Sequence, residues 1–253
     1  NFLAHFYLSG EDEGLILGNY LGDFLRGSEL KNLPEPIFRG IELHRAIDEF
    51  TDAHELVKNS QNTLREGLGR YVPVAVDVIY DHFLAAMWKD YSKEKLQDFA
   101  YKKYQFLEKN KAQLNERALG FLKYMQRYNI LFNYQFDEGI RKVFDGLNHR
   151  ARFDTQLRDA VYEMNHHRSL LEADFRSFFP ELIEHVRHYQ ERITDDGSPT
   201  LYRPDLDEHY HSTNGAVQES THVFIEKGLK PIMNKTDSIR ILELGFGTGL
   251  NAL

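Results

Sequence analysis

The sequence predicts an all-helical domain over residues 1–192, followed by an incomplete α/β segment over 193–253. Three observations carry this. Upstream of residue 192, apolar residues recur at three- and four-residue spacing, and few stretches alternate with period two. At "TDDGSPTLYRPDLDEHYHS" the character changes, with Asp-Gly, Ser-Pro and Arg-Pro as turn signals, which puts the boundary at about Arg192–Asp196. Finally, "IRILELGFGTGL" is an apolar run entering a glycine-rich turn, the pattern of a buried strand followed by a cofactor loop.

The helices follow in order. Residues 12–27 place Leu15, Ile16, Tyr20, Leu21, Phe24 and Leu25 on a helical stripe, with Gly27 as a stop. "LPEP" is a connector, because proline disfavours helix in the residue before it. A second helix covers 37–53 and a third 55–68. "VPVAVDVIYDHFLAAMWKDY" is rich in β-branched residues but too long for one strand, so it predicts one long buried helix. Two amphipathic helices fill 93–128, marked by Phe99, Tyr104 and Leu107, then Leu119, Phe121, Leu122 and Met125. Further helices are expected near 136–147, 153–192 and 215–229.

Bulk properties exclude several function classes. With no cysteine, the chain has no disulfide, no thiolate metal site and no cysteine nucleophile. A net charge of −8 argues against broad nucleic-acid binding. No apolar run approaches the roughly 18–20 residues that span a bilayer. No leader-like segment opens the chain, so a cytoplasmic address is expected. The first residue, Asn1, and the glycine-rich ending suggest a piece of a longer protein.

Acids and imidazoles recur at four-residue spacing, which places them on one helix face. In "ELHRAIDEFTDAH" they are His44 and Asp48, with Thr51 and Asp52 further along; in the first helix, Asn19 and Asp23; in the long helix, Asp77 and Asp81, with His82 adjoining. An isolated carboxylate among Val76, Val78, Ile79 and Phe83 is costly to bury, so a partner is expected. Facing helices that offer such groups inward are how bundles build metal sites, and a sulfur-free donor set suits manganese, iron, magnesium or zinc. Such a site supports phosphoester hydrolysis, and Arg26, Arg39 and Arg45 lie near enough in sequence to meet phosphate. The same spacing is also common on solvated helix faces, so it leaves both readings open.

Four separated motifs, "NFLAHFYLS", "LGNYLGDFLRG", "GIELHRAIDEFTDAH" and "DVIYDHFLAAMW", resemble the bacterial acyl carrier protein phosphodiesterase family, and the resemblance runs to about residue 192. It implies an all-helical, HD-like phosphohydrolase using a divalent metal, manganese favoured. The implied reaction hydrolyses the phosphodiester between phosphopantetheine and a serine of acyl carrier protein. Carried onto this chain, the resemblance makes Asp23, His44, Asp48, Asp77, Asp81 and His82 catalytic, with all but Asp77 as metal ligands. His5, Asn19 and Asp52 fall in matching motifs, and His167 is a weaker candidate. The wider HD pattern has adjacent His-Asp, whereas here the order is Asp81-His82. Acyl carrier protein is acidic, so docking calls for a basic patch, for which Arg26, Lys31, Arg39, Arg45, Lys58 and Arg65 are available. An HD-type hydrolase acting on a nucleotide or another small phosphoester is the alternative.

The segment after 192 carries "EHYHS", "HVFI" and "GFGTGLN", which resemble the N-terminal part of the MnmC or MnmD type of tRNA wobble-uridine methyltransferase. Glu243, Gly245, Gly247 and Gly249 match that class's E-x-G-x-G-x-G signature. The resemblance implies that these residues, with Tyr210 and His211, bind S-adenosylmethionine, and that Ser212 and Glu219 help shape the pocket. A doubly wound domain needs several more β–α units. The segment is therefore expected to be inactive as given, with tRNA a partner only through the missing remainder.

Overall fold

A computed structural model describes residues 2–30, 33–150, 155–193, 199–203, 208–209 and 214–233. The chain divides into two compact units, Asn1–Val186 and Arg187–Leu253.

The first unit is helical, and no strand occurs among its described residues. Its helices are α1 (Phe2–Leu8), α2 (Glu13–Leu21), α3 (Glu35–Ala53), α4 (Glu55–Leu68), α5 (Val72–Ala86), α6 (Trp88–Tyr91), α7 (Leu96–Lys109), α8 (Glu116–Tyr128), α9 (Ile130–Asn133), α10 (Asp137–Arg150), α11 (Ala160–His166) and α12 (Arg168–Val186). Helix α5 is the core element. Val72, Ala75, Val76, Ile79, Phe83 and Leu84 are each at most 1% exposed. A helix surrounded by protein needs no polar face, which is why its sequence reads as almost continuously apolar.

Three boundaries differ from expectation. The helix predicted over 12–27 ends at Leu21, where the Gly22 N–H bonds back to Gly18 and Asn19 and a turn follows, so Asp23 lies beyond the helix. The single helix predicted across 72–91 breaks at Met87, which leaves helical geometry at φ −103°, ψ 20°. The helix predicted across 153–192 is α11 and α12, separated at His167 with φ −106°, ψ 13°. No apolar periodicity announced α1.

Local caps fix several starts. The Asp12 carboxylate accepts from the Leu15 N–H, His54 accepts from Leu56, and Asn115 accepts from Ala118. Helices α2 and α3 make the most extensive interhelical contact in the unit. Among the described residues, no helix is long and apolar enough to cross a membrane.

The second unit has a three-stranded antiparallel sheet of β1 (Glu191–Ile193), β2 (Pro199–Arg203) and β3 (Glu208–His209), in that order. Glu191 pairs with Leu201, and Tyr202 with His209. The turn signals Ser-Pro and Arg-Pro fall at the two ends of β2. The helix expected near 215–229 is present as α13 (Ala216–Glu219), a π-helical stretch Ser220–Leu229 and α14 (Lys230–Met233). Glu219 closes α13, its N–H bonded to the Gly215 carbonyl at 2.9 Å. Tyr210, His211, Ser212, Glu243, Gly245, Gly247 and Gly249 lie outside the described residues.

Candidate catalytic site

The site begins with an unusually close pair of helices. Gly14, Gly18 and Gly22 stand four residues apart along α2 and its C-terminal cap, opposite Pro36, Gly40 and His44, also four apart, on α3. A Cβ added at Gly18 would lie 2.0 Å from the Ile37 carbonyl oxygen, and one at Gly40 would lie 2.7 Å from the Gly18 Cα. Backbone therefore touches backbone, which only glycine permits. Where this contact ends, the His44 ring fills the space a side chain at Gly22 would need, with its Cγ 2.3 Å from the Cβ position.

Asn19, buried on α2, then orients two imidazoles. Its Nδ2 donates to the His5 carbonyl at 3.0 Å and to the Ser9 Oγ at 2.9 Å. That fixes the amide with Oδ1 facing the rings, 2.6 Å from His5 Nδ1 and 3.2 Å from His44 Nδ1. A carbonyl oxygen only accepts, so both Nδ1 atoms carry the proton and each neutral ring is bare at Nε2. The two rings lie 4.4 Å apart between centroids, at 31°.

Both Nε2 atoms face carboxylate. His5 Nε2 is 3.3 Å from Asp48 Oδ1; His44 Nε2 is 3.2 Å from Asp48 Oδ2 and 3.7 Å from Asp23 Oδ1. The imidazoles are buried, while about half of each carboxylate side chain is exposed, 51% for Asp23 and 49% for Asp48. A bare ring nitrogen opposite a carboxylate oxygen sets lone pair against lone pair, so the arrangement calls for a positive charge between them, either a proton or a metal ion.

The electrostatics agree. Burial would raise Asp48, but hydrogen bonds and charge from His44 and His5 hold it well below the usual carboxylate range. Burial works against a charged His44 too, yet Asp48 and Asp23 outweigh it and raise its pKa. Burial, with His44 adding to it, keeps His5 low against the pull of Asp48. The four side chains that could hold a divalent ion are thus His5, His44, Asp48 and Asp23. Asp48 splits its oxygens between the two rings, and among the described residues no three such groups yet enclose a common point.

The acids and imidazole of α5 are placed differently, because successive helix residues point about 100° apart. Asp81 is fully buried, and its two oxygens accept the Ala4 and Leu3 N–H groups at 2.9 and 3.0 Å. It caps the N-terminus of α1 and so positions His5, rather than joining the open carboxylates. Burial raises its pKa, opposed by those two amides. His82 points away from the cluster. Its Nδ1 donates to the Tyr134 carbonyl at 2.7 Å, and its Nε2 faces Arg168 at 3.4 Å and Asp137 at 3.7 Å. Asp77 shares a cavity of about 290 Å³ with Asp23. Burial, with the nearby charges of Asp48, Asp81 and Asp52, raises its pKa to about 6.

Asp52 is exposed on α3, and His167 lies 3.9 Å from Glu163, outside the cluster. Of the proposed basic patch, Arg39 pairs with Glu35, Lys58 donates to the Ala53 carbonyl and Arg65 to Asn62. Arg45 is exposed, and Lys31 lies outside the described residues. Arg26 alone lines a groove with Asp23, where Arg117 and Lys142 join it. Spacing within one helix could not pair His5 with Asn19, because their contact spans 14 residues between two helices.

The acyl carrier protein phosphodiesterase family model matches residues 1–182. The chain belongs to this family. A relative from Shigella boydii, named acyl carrier protein phosphodiesterase, is 32% identical over 191 residues, 74% of this chain and 98% of its own. One of the same name from Escherichia coli is 32% identical over 186 residues, covering 73% and 96%. No solved structure matches. The acyl carrier protein phosphodiesterase family places this chain among the phosphoric diester hydrolases, and the matched region includes every member of the His5–His44–Asp48–Asp23 cluster.

Proposed function

We propose that the helical unit hydrolyses the phosphodiester linking 4′-phosphopantetheine to a serine of holo acyl carrier protein, releasing the apo-protein. The observation that carries this reading is the convergence of two Nε2 atoms, their tautomers set by Asn19, on the half-exposed carboxylates of Asp48 and Asp23. His5, His44, Asp48 and Asp23 would hold a divalent ion, manganese favoured. Such an ion polarises a phosphoryl oxygen and lowers the pKa of a bound water to near 7. Asp23, half exposed, would accept the proton of the attacking water on the carboxylate oxygen that does not hold the ion. Water oxygen bonds to phosphorus as the bond to the serine oxygen breaks. Asp77, with its raised pKa and its place in the same cavity, delivers a proton to the departing serine Oγ. A cytoplasmic address belongs to the same reading.

The test is conversion of holo to apo carrier protein by the purified chain with and without manganese. Conversion that needs the metal and is lost with bound manganese in His44→Ala and Asp48→Ala supports the assignment. Metal-loaded protein that leaves the holo form intact sinks it.

For residues 193–253 we propose the N-terminal part of a tRNA wobble-uridine methyltransferase domain, on the strength of "EHYHS" and "GFGTGLN". S-adenosylmethionine and tRNA would bind the complete domain. The test is S-adenosylmethionine binding by the full-length protein that carries these residues, which Gly245→Asp should abolish; binding unchanged in that variant would overturn the assignment.

A further inference from the structure

Helix α8 presents Phe121, Tyr124 and Tyr128 at i, i+3 and i+7, one face of the helix. Their ring centroids are 6.0 and 4.9 Å apart in succession. Phe24, the residue after Asp23, extends the file, 5.7 Å from Phe121. Four aromatic rings therefore lead away from Asp23 without a break. They form one wall of a groove of about 990 Å³, closed on the far side by α10 at Lys142 and Gly146. Gly146 lets the Tyr124 hydroxyl approach the α10 backbone, since a Cβ there would lie 2.5 Å from it. At Gly120, also in the lining, a Cβ would meet nothing within 4 Å.

We infer that this groove binds the pantetheine arm of the substrate, an assignment that rests on the phosphodiesterase reading above. A phosphodiester at Asp23 has two substituents, and the groove begins at Asp23. One substituent is a serine fixed on a folded protein; the other is a slim chain of methylenes and amides. The groove has the volume of a small-molecule site, for which roughly 300–1,000 Å³ is usual. Only the chain fits such a space. Aromatic faces suit methylenes and amide planes, and Arg26, three residues from Asp23 and on the same lining, suits the phosphate. The carrier protein itself then stays outside the groove.

The probe is free 4′-phosphopantetheine, the arm with its phosphate, measured by calorimetry alongside steady-state kinetics on holo carrier protein. Gly120→Trp places an indole where the groove is open. Its affinity for 4′-phosphopantetheine should fall about tenfold, roughly 1.4 kcal/mol, with the loss for holo carrier protein falling on KM rather than kcat. Tyr128→Ala, at a residue 43% exposed, removes one ring and should weaken the same binding severalfold if Gly120→Trp does not fold. The inference is overturned if both variants bind 4′-phosphopantetheine as the parent does. It is equally overturned if affinity for apo carrier protein falls while affinity for the free arm holds. Wild-type protein that cleaves no holo carrier protein is a separate result, against the phosphodiesterase reading itself.

Discussion

Gly22 and His44 occupy one volume: a Cβ on Gly22 would fall 2.3 Å from His44 Cγ and 2.5 Å from its Cδ2. Gly22→Ala therefore displaces the imidazole instead of merely crowding it. Overpacking of this kind costs about 1–3 kcal/mol, and misplacement of a reacting group by about 1 Å costs on the order of 10²-fold in rate. Thermal unfolding and kcat on holo carrier protein should both fall. A fully active Gly22→Ala protein would mean that His44 is not needed in its observed place.

Asn19 holds both Nδ1 atoms. Asn19→Leu keeps the bulk and removes the acceptor, leaving each ring free to turn its Nε2 away from Asp48. Loss of such an orienting partner typically costs about 10–100-fold in metal affinity or activity. Manganese titration followed by electron paramagnetic resonance should show weaker binding in a protein that still folds. Unchanged affinity would remove Asn19 from the account.

Asp81 gives the fold a long-range cap. Asp81→Ala leaves the Leu3 and Ala4 amides without a partner inside the protein, a loss of roughly 2 kcal/mol. Urea unfolding should show that loss. Activity should fall too, through His5, while His44 and Asp48 still retain part of the bound manganese. Complete loss of metal in a folded Asp81→Ala protein would instead make Asp81 a ligand.

Asp77 has a folded-state pKa raised to about 6 by burial. The folded state then binds a proton more tightly than the unfolded chain, whose carboxyl titrates near 4. Stability should be greatest below pH 4 for this group, decline as pH rises from about 4 to 6, and level off above. Asp77→Asn removes that slope and should stabilise the protein at pH 8 by roughly 1–3 kcal/mol while slowing turnover. Denaturant midpoints measured across pH 4–8 check the sign. A mutant less stable than its parent at pH 8 would show that the Asp77 carboxylate is held by favourable contacts.

What the sequence made legible follows from the range of each interaction. Helix α3 and its His44–Asp48 pair depend on spacing within one helix and on Pro34 and Pro36 at its start, so they could be read directly. The all-helical class came from periodicity for the same reason. Helix α1 could not be read, since seven residues with their cap 77 and 78 positions away carry no local signal. Nor could the different destinations of Asp81 and His82 be read, because adjacency in sequence hides the turn of about 100° between successive residues on a helix. The aromatic face of α8 was visible only as an amphipathic stripe; its approach to Phe24 is a tertiary fact.

Gly14, Gly18, Gly22 and Gly40 contribute to the site by having no side chain. A survey of tolerated substitutions would therefore mark them as intolerant as His44, although none has a group that can react. Attempts to stiffen this enzyme by exchanging helical glycine for alanine should spare these positions and begin at Gly120, where the space is open. The usual recipe for a sturdier helix would here push apart the two backbones that hold Asn19 against His44.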